Sequence, residues 1–114
     1  MWIYLNNSFV ALTSHEQFPD CLFVRSRVRG DIERLFGSGI KPNHTPGPNY
    51  DYAFRVALAR NDVAAAIAKR ILKLDYSHFK DNIKSAKRHR WYCATWNDAY
   101  EAQLDYIGQL KTGG

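Results

Sequence analysis

The sequence predicts an α+β fold: a mainly antiparallel, four-stranded sheet with helices packed on one face. Two observations lead there. Period-two alternation and turn residues dominate the first half of the chain, whereas apolar side chains at three- and four-residue steps dominate the second. No repeat, low-complexity tract or linker interrupts the 114 residues, and 46% of them are hydrophobic. That is enough to bury one core without staples, so a single domain over 1–114 is expected. The predicted order is β-β-β-α-β-α-α-α.

Residues 2–13 read as a hairpin. Trp2-Ile3-Tyr4-Leu5 and Phe9-Val10-Ala11-Leu12-Thr13 flank Asn6-Asn7-Ser8, where Asn tolerates positive φ. Pro19-Asp20 breaks the chain before a third strand over 21–28, with Leu22, Val24 and Ser26 on one side and Phe23, Arg25 and Arg27 on the other. A short helix over 32–36 follows, with Asp31 as its N-cap and Gly37 and Gly39 as its stop. Residues 38–50 hold Pro42, Pro46, Gly47 and Pro48 and read as loop. The most regular strand covers 52–58, where Tyr52, Phe54, Val56 and Leu58 alternate with Ala53, Arg55 and Ala57. Asn61 then caps a helix over 62–74 with Val63, Ala64, Ile67, Ile71 and Leu74 as its buried stripe. Ser77 caps a short helix over 78–86. A last helix over 88–110 places Tyr92, Trp96, Ala99, Tyr100, Gln103, Ile107 and Leu110 at helical spacing, and residues 111–114 form a frayed tail.

Composition narrows the function. The net charge is +5, a moderate excess that attracts polyanions: nucleic acid, anionic lipid or an acidic protein surface. Two cysteines, Cys21 and Cys93, are too few for a disulfide framework and read as free, buried thiols of a cytoplasmic protein. The opening residues lack the charged and apolar regions of a signal peptide, and no apolar run spans a membrane.

The charge is segregated. Nine Lys and Arg lie between Arg60 and Arg90 against Asp62, Asp75 and Asp81, whereas residues 91–110 hold Asp98, Glu101 and Asp105 and no cation. The last helix is therefore basic at its start and acidic along its body, the reverse of what its dipole favours. Lys80, Lys84, Lys87, Arg88 and Arg90, with Trp91 beside them, are the first candidate partner-binding set. An ordinary solvated face is the plainer reading. Arg25, Arg27 and Arg29 form a second set, in line on one strand face about 7 Å apart. Protection of an edge strand competes with an anion-binding strip there. Aromatic residues make up 14% of the chain and serve either as core or as interface and base-stacking anchors.

Catalytic patterns are weak. His89 and Cys93 share a helix face, but two ligands do not make a zinc site and no third group orients a nucleophile. His78 near Lys80 and Asp81 lacks a partner of evident geometry, and no glycine-rich phosphate loop follows a strand. No enzyme activity, metal or cofactor is expected.

MWIYLNNSFVAL, LFVRSRVRGDIERLF and YSHFKDNIKSAKRHRWY together resemble a group of small proteins of bacterial and prophage genomes, over most of the chain. The resemblance implies a compact cytoplasmic protein of mobile elements and assigns no catalytic residue. Anti-CRISPR inhibitors are proteins of this size and origin. The leading expectation is therefore a non-enzymatic, anti-CRISPR-like inhibitor that binds a CRISPR effector complex and blocks recognition or cleavage of target DNA. The alternative is a small basic nucleic-acid-binding module, as monomer or dimer.

Overall fold

The computed structural model describes residues 1–112, gathered into two compact units, Met1–Tyr76 and the chain from Ser77 onward. The first unit carries β1 (Trp2–Tyr4), β2 (Phe9–Ser14), β3 (Cys21–Ser26), α1 (Asp31–Phe36), β4 (Asn43–His44), β5 (Phe54–Ala59) and α2 (Arg60–Leu72). Its strands form one antiparallel sheet in the order β1-β2-β3-β5-β4. The α+β, antiparallel expectation holds with one more strand than predicted. The addition is β4, two residues from the proline-rich stretch, paired as Asn43↔Arg55 and His44↔Phe54. Its shortness explains why no alternation announced it.

Register follows from burial. Leu12 faces Val24, Val24 faces Val56 and Leu22 faces Leu58, so one sheet face is apolar across three strands. Helices α1 and α2 cover this face. Val10, Leu12, Val24, Ile32, Leu35, Phe54 and Val63 make the core. Each such side chain contributes about 2 kcal/mol by leaving water.

Asp31 is not a cap but the first residue of α1, and it is buried. Its Oδ2 accepts the Phe9 N–H at 3.0 Å, and its Oδ1 pairs with Arg34. The carboxylate thus ties α1 to the hairpin. Gly30 occupies the cap position at φ 91°, and a Cβ there would stand 2.5 Å from the Arg34 guanidinium. Only glycine takes that backbone without strain.

The stripe expected on α2 is half realised. Val63 is buried and Ile67 half-buried, but Ala64, Ile71 and Leu74 are exposed. The reason is the brevity of β1. A cleft of about 430 Å³ opens between Ile3, Leu5 and the last turns of α2, and Ile71 and Leu74 line it instead of a core.

The second unit begins with a 3₁₀ turn, Lys80–Asn82, where a helix over 78–86 was expected. Ile83 is extended and buried, and the Ser85 hydroxyl accepts the Arg88 N–H at 3.2 Å. That cap starts α3 (Ala86–Lys111) two residues earlier than predicted. Tyr92 is buried and stacks on Phe79 at 5.8 Å. Of the expected frayed tail, Lys111 still belongs to α3, and Gly113 and Gly114 lie outside the described residues. No described helix is long and apolar enough to cross a membrane.

Candidate functional site

The two candidate sets fare differently. In the second unit the basic run winds around a helix, so its members diverge. Lys84, Lys87 and Arg90 are exposed. Arg88 is not available to a partner: it is buried, donates to the Tyr92 hydroxyl at 3.1 Å, and lies over the rings of Trp91 and Tyr92. One step along a helix turns a side chain by about 100°, which takes Arg88 from the Lys87 face to the inner one. Lys80 is half-buried with its Nζ 4.1 Å from the Trp96 ring centroid. Trp91, the aromatic member of that set, is half-buried against Tyr92, with ring centroids 5.1 Å apart.

In the first unit, cations gather on the sheet face opposite the helices. Register builds a cross-strand row of Trp2, Ala11, Arg25, Arg55 and Asn43. Arg25 and Arg55 stand directly opposite each other. Their guanidinium groups lie against aromatic rings: Arg25 is 4.6 Å from the Tyr52 centroid and 5.2 Å from Phe23, and Arg55 is 5.0 Å from Tyr50 and 5.7 Å from Phe23. Arg27 adds a third cation, 4.4 Å from the same Tyr52 ring, and donates from Nε to the Asp51 carbonyl. Tyr52 is thus clamped between Arg25 and Arg27 and is only 4% exposed. It belongs to this face rather than to the Phe54 face predicted for it, because the strand begins only at Phe54.

Arg29 leaves the row. The strand ends at Ser26, the chain bends toward Gly30, and Arg29 lies over Phe54 at 5.1 Å and beside the His44 Nδ1 at 3.4 Å. Phe54 belongs to the core on the other face of the sheet.

The electrostatics of this face are unbalanced. Among the described residues no carboxylate pairs with Arg25, Arg27 or Arg55. The Nε atoms of Arg25 and Arg55 are buried and have no hydrogen-bond partner. Like charges directly opposite in a sheet are destabilising, and an unsatisfied buried donor adds to the cost. Cation–π contacts offset part of it.

Sequence reading missed Arg55 and Trp2 as members of the site. Arg55 was the one charged residue of the most regular strand, and pairing the apolar faces of the two strands sets it beside an arginine of the third. Trp2 is 63% exposed at the outer end of the row and is the aromatic surface there with room to stack.

The catalytic patterns stay incomplete. Cys93 Sγ lies 3.7 Å from His89 Nδ1, both half-buried, with no third orienting group at hand among the described contacts. His78 is exposed and lines a shallow cleft with Ser77, Lys80, Asp81 and Trp96. No group of three His, Cys, Asp or Glu converges as metal ligands among the described residues. Cys21 and Cys93 are free thiols, half-buried rather than buried. No family model, no curated protein and no solved structure matches the chain.

Proposed function

We propose that this chain is a nucleic-acid-binding module that holds the backbone of a single strand on the arginine face of its sheet. One observation carries the reading: Arg25 and Arg55 face each other across two strands, with no carboxylate beside them. A phosphate placed between them removes the like-charge cost and accepts from two planar forks, which suits arginine better than lysine. Arg27 extends the track. Trp2, in the same row, supplies a stacking surface for an unpaired base, and stacking tolerates any sequence. The chemistry asked of the protein is binding alone.

The expectation of an anti-CRISPR-like inhibitor is a different reading of the same charge. It requires a protein partner, a CRISPR effector, and no feature of this face selects one. The two part company over bare nucleic acid.

Fluorescence anisotropy with labelled single-stranded DNA and RNA, beside a duplex of the same sequence, tests the proposal. Binding to single strands is expected at low salt, with a log–log salt slope of about −0.7 per phosphate neutralised. The Arg25→Gln/Arg55→Gln double variant, which gives up the phosphate held between the two, flattens that slope by about 0.7. Absence of binding at low salt, or binding indifferent to that double variant, overturns the proposal. Retention on an effector complex by a chain that ignores free nucleic acid points to the inhibitor instead.

A further inference from the structure

The arginine face continues past its cross-strand row into a cavity. Two residues along β3 from Arg25, on the same face and about 7 Å away, stands the half-buried Phe23. Its cross-strand neighbours are Thr13 and Ala57, both small and exposed, so no bulky side chain roofs the ring from either strand. Beside it a cavity of about 400 Å³ lies between the end of β2, the turn that follows, and the Phe23 and Arg25 side chains. The turn fixes one wall. His15 Nδ1 accepts the N–H of Gln17 at 3.1 Å and of Phe18 at 3.3 Å, so the neutral ring carries its proton on Nε2. The His15 ring meets Phe23 edge-on, with centroids 5.9 Å apart and planes at 79°, and Phe18 braces it with a centroid 5.0 Å away. The Arg25 guanidinium lies 5.2 Å from the Phe23 centroid. Two aromatic rings near a right angle and a planar cation make a corner for a flat ring.

We infer that this corner takes one unpaired base of the strand whose phosphate the arginines hold, an assignment that rests on the backbone-binding reading above. Three features select a base. The walls are π surfaces and a guanidinium plane, on which every base stacks. The rim is polar: the hydroxyls of Thr13 and Ser14 and the carboxamide of Gln17 can pair with a base edge, and an aliphatic chain has no use for them. The third feature is charge. The ionisable groups lining the cavity are His15, Glu16 and Arg25. Glu16 repels a second phosphate, so the part of the strand that enters beyond Arg25 is its uncharged base. The step from Arg25 to Phe23 matches the reach from a phosphate to the base of its own nucleotide. The cavity lies at the small end of ligand pockets, which suits one base. A base inside a duplex has both faces stacked and its edge paired, so it cannot enter without being extruded.

The experiment is fluorescence anisotropy on the full chain with two labelled strands of equal length, an oligo-dT and a strand of abasic sugars that carries the same phosphates. The oligo-dT is expected to bind at least about tenfold more tightly. Phe23→Leu is expected to cut oligo-dT affinity about tenfold and to leave the abasic strand within about twofold. A ring that serves only to support the arginines would, on removal, weaken both strands alike. Thr13→Leu lays a branched side chain over Phe23 from an exposed strand position, and it is expected to reproduce the selective loss with the fold's contacts intact. Equal affinity of the unaltered chain for the two strands overturns the inference and leaves the backbone reading standing. So do losses that fall equally on both strands in the two variants. Binding to neither strand removes the backbone reading and this one with it.

Discussion

The two units of this protein use arginine in opposite ways. In the helical unit, Arg88 belongs to the densest basic run of the sequence, yet it is buried against Trp91 and Tyr92 with a phenol oxygen accepting its N–H. In the sheet, Arg25 and Arg55 lie thirty residues apart in the chain, yet register brings them face to face, and their Nε donors find no acceptor. The first arrangement is internally satisfied and reads as structure. The second is left charged and reads as a site. Density of charge along a sequence therefore says less about a cationic surface than the period on which the charges fall.

That contrast is open to direct attack. The largest effect is expected where the sheet's frame is pinned: Asp31→Ala strips the acceptor from the buried Phe9 N–H and leaves Arg34 with only the Asn7 and Arg29 carbonyls, costing about 3 kcal/mol in urea unfolding. Next comes affinity. Arg25→Gln/Arg55→Gln is expected to weaken single-strand binding roughly 100-fold, at about 1.4 kcal/mol per arginine, whereas Lys87→Gln/Arg90→Gln changes it less than about threefold. Equal losses from both pairs, read by anisotropy, would erase the distinction between the units. Arg88→Met is expected to lower thermal stability by about 1.5 kcal/mol through the lost Tyr92 bond and to leave affinity unchanged. Gly30→Ala costs about 1 kcal/mol for its left-handed backbone. The smallest effect has the opposite sign. Arg55→Met keeps the packing stem and relieves both the repulsion from Arg25 and the orphaned Nε, which outweighs the lost Nη2 bond to the Tyr52 carbonyl, so the unliganded protein gains a few tenths of a kcal/mol while binding falls. A loss of both stability and affinity would mean that the pair is structural.

Much of this was legible from residues alone. The alternation at 52–58 and the hairpin at 2–13 gave the sheet because burial on one face demands period two. Leu22, Val24 and Ser26 share the covered face as read. What could not be read depended on partners distant in the chain. β4 is too short to show a period. Ile71 and Leu74 looked like core because helical spacing reports a face and not what stands opposite it, and β1 is too short to stand there. Asp31 had the sequence of a cap, yet a buried amide of Phe9 claimed it. Arg25 and Arg27 were found as a row, but Arg55 joined them only through strand order, and Arg29 fell away where the strand stopped.

The cation-free stretch of α3 has a practical consequence. Between Arg90 and Lys111 the chain offers trypsin no cleavage site, so tryptic digestion releases this half of the helix as one long peptide whether it is folded or not. Chymotrypsin meets Trp96, Tyr100, Leu104 and Tyr106 on the surface of the same stretch. Protection from the second protease, with the first as an internal standard, distinguishes a covered helix from a bare one on a gel.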